Sequence, residues 1–167
     1  QGHELPSIRS VKGCGSREVA VLKKVLIVCI GNICRSPTAE ILLRDRLKDS
    51  DVEVRSAGIA ALVGGSIEPT AHKLLAEREH LEIDHKGKQL TPECVKWADL
   101  ILVMERKHVS AVLAIAPEAR GKVVLLGKWQ EDREISDPYR QGEPAFKHAI
   151  ALIEEAVNAW AQRLVRC

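Results

Sequence analysis

A chain of 167 residues with 46% hydrophobic and 29% charged residues has the size and composition of one globular domain with a sizeable core. Its 25 basic and 23 acidic side chains leave a formal net charge of +2, which excludes nucleic-acid or membrane-surface binding driven by charge alone. No apolar run reaches the roughly 18 residues of a bilayer span, which argues against a membrane-spanning helix.

In chain order, residues 1–22 have no periodicity, and they lack the cationic start and apolar core of a secretory signal. They read as a loosely ordered extension or a remnant of cloning, leaving 23–167 as the domain. Short apolar runs then alternate with amphipathic ones, the pattern of an α/β domain with a parallel sheet. Strands are expected at Val25–Ile30, Val52–Ser56, Asp99–Met104 and Val123–Leu126. Helices are expected at Pro37–Lys48, Pro69–Glu79, Pro92–Ala98 and Glu105–Ala116. Pro69 and Pro92 stand where a first-turn proline belongs. A last helix, Pro144–Arg163, carries Phe146, Ile150, Ile153, Val157, Trp160 and Leu164 at helical spacing. Two segments have neither period: Gly58–Ser66 and Lys128–Gly142, the latter containing Ser136-Asp137-Pro138-Tyr139. Both follow strands, so both can wall a site outside the carboxyl ends of a parallel sheet.

The five cysteines, Cys14, Cys29, Cys34, Cys94 and Cys167, make neither a disulfide framework nor a zinc pattern. Free thiols in a chain of this size point to a reducing compartment, the cytoplasm. Cys29 ends the first strand, Gly31-Asn32 supplies a tight loop, Arg35 follows, and Ser36-Pro37 opens a helix. A loop of this kind aims backbone N–H groups at one spot beside the positive end of a helix dipole. Such a spot favours a thiolate over a thiol and attracts an anion such as phosphate. Arg35 adds a planar fork for two phosphate oxygens that lysine could not match. Asn32 tolerates the left-handed backbone that a tight cradle needs. Ser36 is placed to donate its hydroxyl to a Cys29 thiolate, to cap the helix, or to do both. Cys34, in the same loop, is a second thiol able to close a disulfide with Cys29 on oxidation, the pattern of reversible protection. Its other reading is a small apolar filler. Trp97, Trp129 and Trp160 read as packing residues.

The run Cys29-Ile30-Gly31-Asn32-Ile33-Cys34-Arg35-Ser36-Pro37, with Asp137-Pro138-Tyr139 far downstream, resembles the low-molecular-weight protein tyrosine phosphatase family. The likeness extends from about Lys24 to the C-terminus. Gly58–Gly64, Met104–His108 and Ala116–Val123 resemble the bacterial branch associated with exopolysaccharide and capsule production. The resemblance implies a single α/β domain, with a four-stranded parallel sheet flanked by helices on both faces, and a metal-independent enzyme without cofactor. It implies that Cys29 attacks phosphorus to form a phosphocysteine, and that Arg35 and the amides of Ile30, Gly31, Asn32, Ile33, Cys34 and Arg35 hold the phosphate. It makes Asp137 the general acid, because a phenol of pKa near 10 leaves slowly without a proton donor. Tyr139 would flank the substrate ring, while Ser56 and His85 would hydrogen-bond Asn32. The implied partner is a membrane-bound bacterial tyrosine autokinase.

Alternatives of the same fold are separated by single features. An arsenate reductase needs two further cysteines close together, whereas only Cys94 and Cys167 remain, far apart. A protein-arginine phosphatase carries threonine where this chain has Ile33; Ile30, Ile33 and Leu62 instead form an apolar collar suited to an aromatic ring. A non-enzymatic, redox-sensing phosphate-binding module would not need Cys29, Arg35 and Asp137 together.

Overall fold

The structure, a computed structural model, describes residues 22–78 and 81–165. Residues 1–21, Cys14 among them, lie outside this range, as do Glu79 and Cys167. Leu22, placed with the extension on sequence grounds, packs against the core. Strand β1 (Lys24–Cys29) is buried at every position after Lys24. That follows from a run of five apolar residues with helices on both sides, the signature of an interior parallel strand. Helix α1 (Arg35–Arg46), strand β2 (Glu53–Gly58), helix α2 (Pro69–Ala76) and helix α3 (Pro92–Trp97) follow. Strand β3 (Leu100–Val103), helix α4 (Arg106–Ile115), strand β4 (Val123–Leu125) and helix α5 (Glu143–Leu164) complete the domain.

The four strands are all parallel, in the order β2-β1-β3-β4. Alternate residues of each strand feed the two faces. Val25, Ile27, Leu100, Leu102 and Val124 join α1, α2 and α5 in the larger core; Leu26, Val28, Ile101, Val103, Val123 and Leu125 join α3 and α4 in the smaller. Trp160 anchors the larger core, fully buried, with its indole N–H donating to the Leu126 carbonyl at 2.8 Å. Trp129 stacks edge-on against it and lies under Arg163, while Trp97 lies under Arg55, so all three tryptophans pack rather than face the site.

Pro69 and Pro92 do open their helices, behind Glu68 and Thr91 as caps. Elsewhere the boundaries move by a few residues. Helix α1 starts two residues earlier than its proline suggests, and α2 stops at Ala76. The aperiodic stretch after β4 holds one short 3₁₀ turn, Lys128–Gln130. The strand order places β1 and β3 side by side, with their connections leaving in opposite directions. That switch point is where a doubly wound sheet opens a crevice. Cys29 ends β1 there, and Glu105 follows β3.

Candidate active site

Between Cys29 and α1 the backbone does one unusual thing six times. The carbonyls of Cys29, Ile30 and Gly31 accept from the amides of Ile59, Ala60 and Leu62 at 2.9, 2.9 and 3.0 Å. The carbonyl of Asn32 accepts from His85 Nε2 at 2.5 Å, and that of Ile33 from the Glu68 amide at 2.7 Å. The Cys34 carbonyl accepts from the Thr38 amide at 3.1 Å, the first bond of α1. Across a trans peptide the N–H points opposite to the C=O. Six consecutive outward carbonyls therefore turn the N–H groups of residues 30–35 inward. Among the described residues, the amides of Gly31 through Cys34 have no protein acceptor. The result is an anion nest closed by a helix N-terminus.

Asn32 makes the curl possible. Its φ is +58°, and its side chain braces the loop in three directions. The amide Nδ2 donates to Ser36 Oγ at 2.7 Å and to Ser56 Oγ at 2.9 Å, while Oδ1 accepts from the Lys88 amide at 2.8 Å. An amide NH₂ only donates, so both hydroxyls accept from it, and each keeps its own proton free to give to another neighbour. Ser56 donates to Glu40 Oε1 at 2.6 Å. Ser36 Oγ lies 2.9 Å from Cys29 Sγ, within reach to donate its proton to a thiolate there, and the Ser36 amide donates to the same sulfur at 3.4 Å. Ser36 therefore serves the sulfur and does not cap α1; the cap position belongs to Cys34, with no side-chain hydrogen bond.

Arg35 is 2% exposed, yet its fork is only half used. Nη1 donates to Glu105 Oε2 at 2.5 Å and to the Ile135 carbonyl at 2.8 Å, which consumes both of its N–H bonds. The Nε and Nη2 edge stays available, with Asp137 Oδ2 3.8 Å from Nη2. Asp137 itself is half exposed and accepts from the Tyr139 amide at 3.1 Å, the turn an Asp-Pro sequence favours. Burial opposes ionisation of Glu105, but the hydrogen bond and charge of Arg35 outweigh it and hold the carboxyl below its ordinary range. Cys34 is buried, and its thiol is pushed up by that burial, then by the charges of Cys29 and Asp137.

The rim is apolar. Ile30, Leu62 and Tyr139 are among the few large hydrophobic side chains exposed in the described residues, and Val63 beside Leu62 is another. Ile33 is half buried, facing Gly31 and Gly65. The structure thus gathers Cys29, Asn32, Arg35, Ser36, Ser56, His85 and Asp137 through explicit contacts. Sequence reading gave no role to Glu105, Glu40, Lys88 or His108. Glu105 had a usable signal, since it directly follows the strand adjoining β1. His108 lies in Met104–His108, a stretch read only as a likeness to the bacterial branch, and Glu40 and Lys88 were given no part in the site.

This cradle, with an arginine fork beside a strand-terminal cysteine, has the makings of an oxyanion site, and the protein's relatives place it in a class of phosphoric monoester hydrolases. The profile of the family described as low molecular weight phosphotyrosine protein phosphatase matches residues 24–167, and the chain belongs to that family. It is 47% identical over 142 residues to the low molecular weight protein-tyrosine-phosphatase Etp of Escherichia coli K12, covering 85% of this chain and 95% of that one. The solved structure of Vibrio vulnificus Wzb in complex with benzylphosphonate superposes with a TM-score of 0.81 at 45% identity, over 86% of this chain and 99% of that one. The arginine phosphatase YwlE of Geobacillus stearothermophilus shares the fold at a TM-score of 0.79, with 32% identity over 85% and 92% of the two chains.

Proposed function

We propose that this protein-tyrosine phosphatase works through a phosphocysteine on Cys29. The observation that carries the reading is the ring of six outward carbonyls, which leaves a bowl of N–H groups around a cysteine with the Ser36 hydroxyl 2.9 Å from its sulfur. The amides of residues 30–35 and the free edge of Arg35 take the nonbridging oxygens. Cys29 Sγ attacks phosphorus in line; the bond from phosphorus to the phenolic oxygen breaks, and that oxygen takes a proton from Asp137. The Asp137 carboxylate then accepts a proton from the water that attacks the phosphocysteine. Inorganic phosphate leaves, and the Cys29 thiolate is restored.

The apolar rim of Ile30, Ile33, Leu62 and Tyr139 suits the tyrosine ring, in keeping with an aromatic phosphonate bound to the Vibrio relative. Ile33 argues against phosphoarginine, which fold alone does not separate from phosphotyrosine. The resemblance to the exopolysaccharide branch supports a tyrosine autokinase at the membrane as physiological substrate, dephosphorylated in the cytoplasm. Free Cys29, Cys34 and Cys94 suit a reducing compartment. The test is hydrolysis of phosphotyrosine, phosphoserine and phosphoarginine peptides, with Cys29→Ser as control. Turnover of the phosphotyrosine peptide alone, abolished in Cys29→Ser with peptide binding retained, is expected. Residual turnover in that variant would remove Cys29 from the mechanism, and preference for phosphoarginine would reassign the substrate.

A further inference from the structure

His108 has no contact with the nest, yet it touches Glu105, the residue that holds the Arg35 fork. It sits in the first turn of α4, 1% exposed, beneath Glu105. Its Nδ1 accepts from the Glu105 amide at 3.2 Å, the reciprocal half of a capping box, with an imidazole standing where a carboxylate or amide usually reaches back. An N–H donor at Nδ1 means that the ring proton is on Nε2. That N–H is buried and has no hydrogen-bond partner among the described residues; the nearest acidic oxygen is Glu105 Oε2 at 3.8 Å. Here the ring meets both ends of one residue, the Glu105 amide and the approach to its carboxylate.

We propose that His108 is a positioning residue for phosphate capture: by accepting from the Glu105 amide it sets the Glu105 carboxylate, which in turn fixes the roll of the Arg35 guanidinium. This rests on the phosphatase reading of the site. Arg35 offers phosphate only its Nε and Nη2 edge, because Glu105 and Ile135 occupy Nη1. A bidentate contact tolerates little rotation of that plane. Without the acceptor at Nδ1, Glu105 is released at its backbone, and the fork loses the support that aims its free edge at the nest.

The test compares His108→Leu, which removes the acceptor, with His108→Asn, whose side-chain oxygen occupies the Nδ1 position. Affinity for inorganic phosphate is measured by calorimetry, and kcat and KM are measured on p-nitrophenyl phosphate. His108→Leu should weaken phosphate binding and raise KM about five- to tenfold, the scale of one lost hydrogen bond, with a smaller change in kcat. His108→Asn should recover phosphate affinity to within about twofold. A purely structural role predicts a lower melting temperature with unchanged phosphate affinity in the folded protein, and that outcome overturns the proposal. If His108→Leu fails to fold, His108→Gln replaces it, since its amide lies beyond the Nδ1 position; equal phosphate affinity in the Asn and Gln variants is then the refuting result. Phosphate affinity read by heat stays informative even if p-nitrophenyl phosphate is not turned over. Absent turnover in the wild type would strike the phosphatase reading instead.

Discussion

Asp137 and Arg35 share one oxygen-to-nitrogen approach of 3.8 Å, close enough to keep the carboxyl beside the free edge of the guanidinium and too long for a hydrogen bond between them. If Asp137 protonates the departing phenol, Asp137→Asn should slow phosphotyrosine hydrolysis by roughly 10²–10⁴. The deficit should shrink on esters whose leaving groups are already acidic; a loss independent of leaving group, in a series of aryl phosphates, would assign Asp137 to binding. Cys34 behaves differently from its neighbour. Burial and the charge of Cys29 keep it as a thiol, and a resolving thiol attacks as its thiolate. Closure of a Cys29–Cys34 disulfide after peroxide should therefore accelerate as pH rises above neutrality, seen by mass spectrometry of quenched samples. Recovery with dithiothreitol should be poorer in Cys34→Ala, and equal recovery would leave Cys34 as packing only.

At the scale of elements, the junction of β1 and β2 matters most, because the two strands keep pairing past Cys29 and so carry the loop carbonyls outward. Gly58 sits where that pairing is tightest. A Cβ there would stand 2.5 Å from the Ile30 carbonyl oxygen, which already accepts from Ala60. Gly58→Ala should cost about 1–3 kcal/mol in denaturant unfolding and should also weaken phosphate binding, because the displaced atom belongs to the cradle. Loss of stability with intact phosphate affinity would show that the loop yields elsewhere. The same junction explains what was readable in advance. The cysteine at the end of an apolar run and the proline-marked helices gave the elements and the loop around Cys29, because periodicity and chain order encode them, whereas Ser56, His85, Asp137 and Tyr139 are singled out by the family resemblance alone. Glu105, Glu40 and Lys88 enter through long-range register, as in the Lys88 amide meeting Asn32 across 56 positions, and no local pattern records that. Helix α1 starts at Arg35 rather than Pro37 for a related reason: Cys34 uses its carbonyl on Thr38, so the helix begins inside the cradle.

The whole molecule should be sensitive to acid. His108, buried beside the Arg35 charge, is pushed down from 6.5 to about 4. Between those values the unfolded chain binds a proton that the folded chain refuses, so stability falls as pH drops through this window. Glu105 acts in the same direction further down: its folded carboxyl is held below 4.5, so its contribution is present above that value and lost as pH falls through the lower one. The urea midpoint should thus be lower at pH 5 than at pH 7.5, and His108→Leu should flatten the difference. A midpoint that does not change with pH would contradict a neutral buried imidazole.

The outward carbonyls have one more consequence, in entropy. The six carbonyls of the cradle are held by the protein's own donors, from residues 38, 59, 60, 62, 68 and 85, so its ordering belongs to folding rather than to binding. An oxyanion arriving there freezes few backbone torsions, and its association carries little of the loop-ordering penalty that flexible sites incur. Amide hydrogen exchange would display this as two populations: outer donors such as Ala60 and Leu62 slow in the free protein, and the amides of Gly31 to Cys34 slowed only when phosphate fills the bowl.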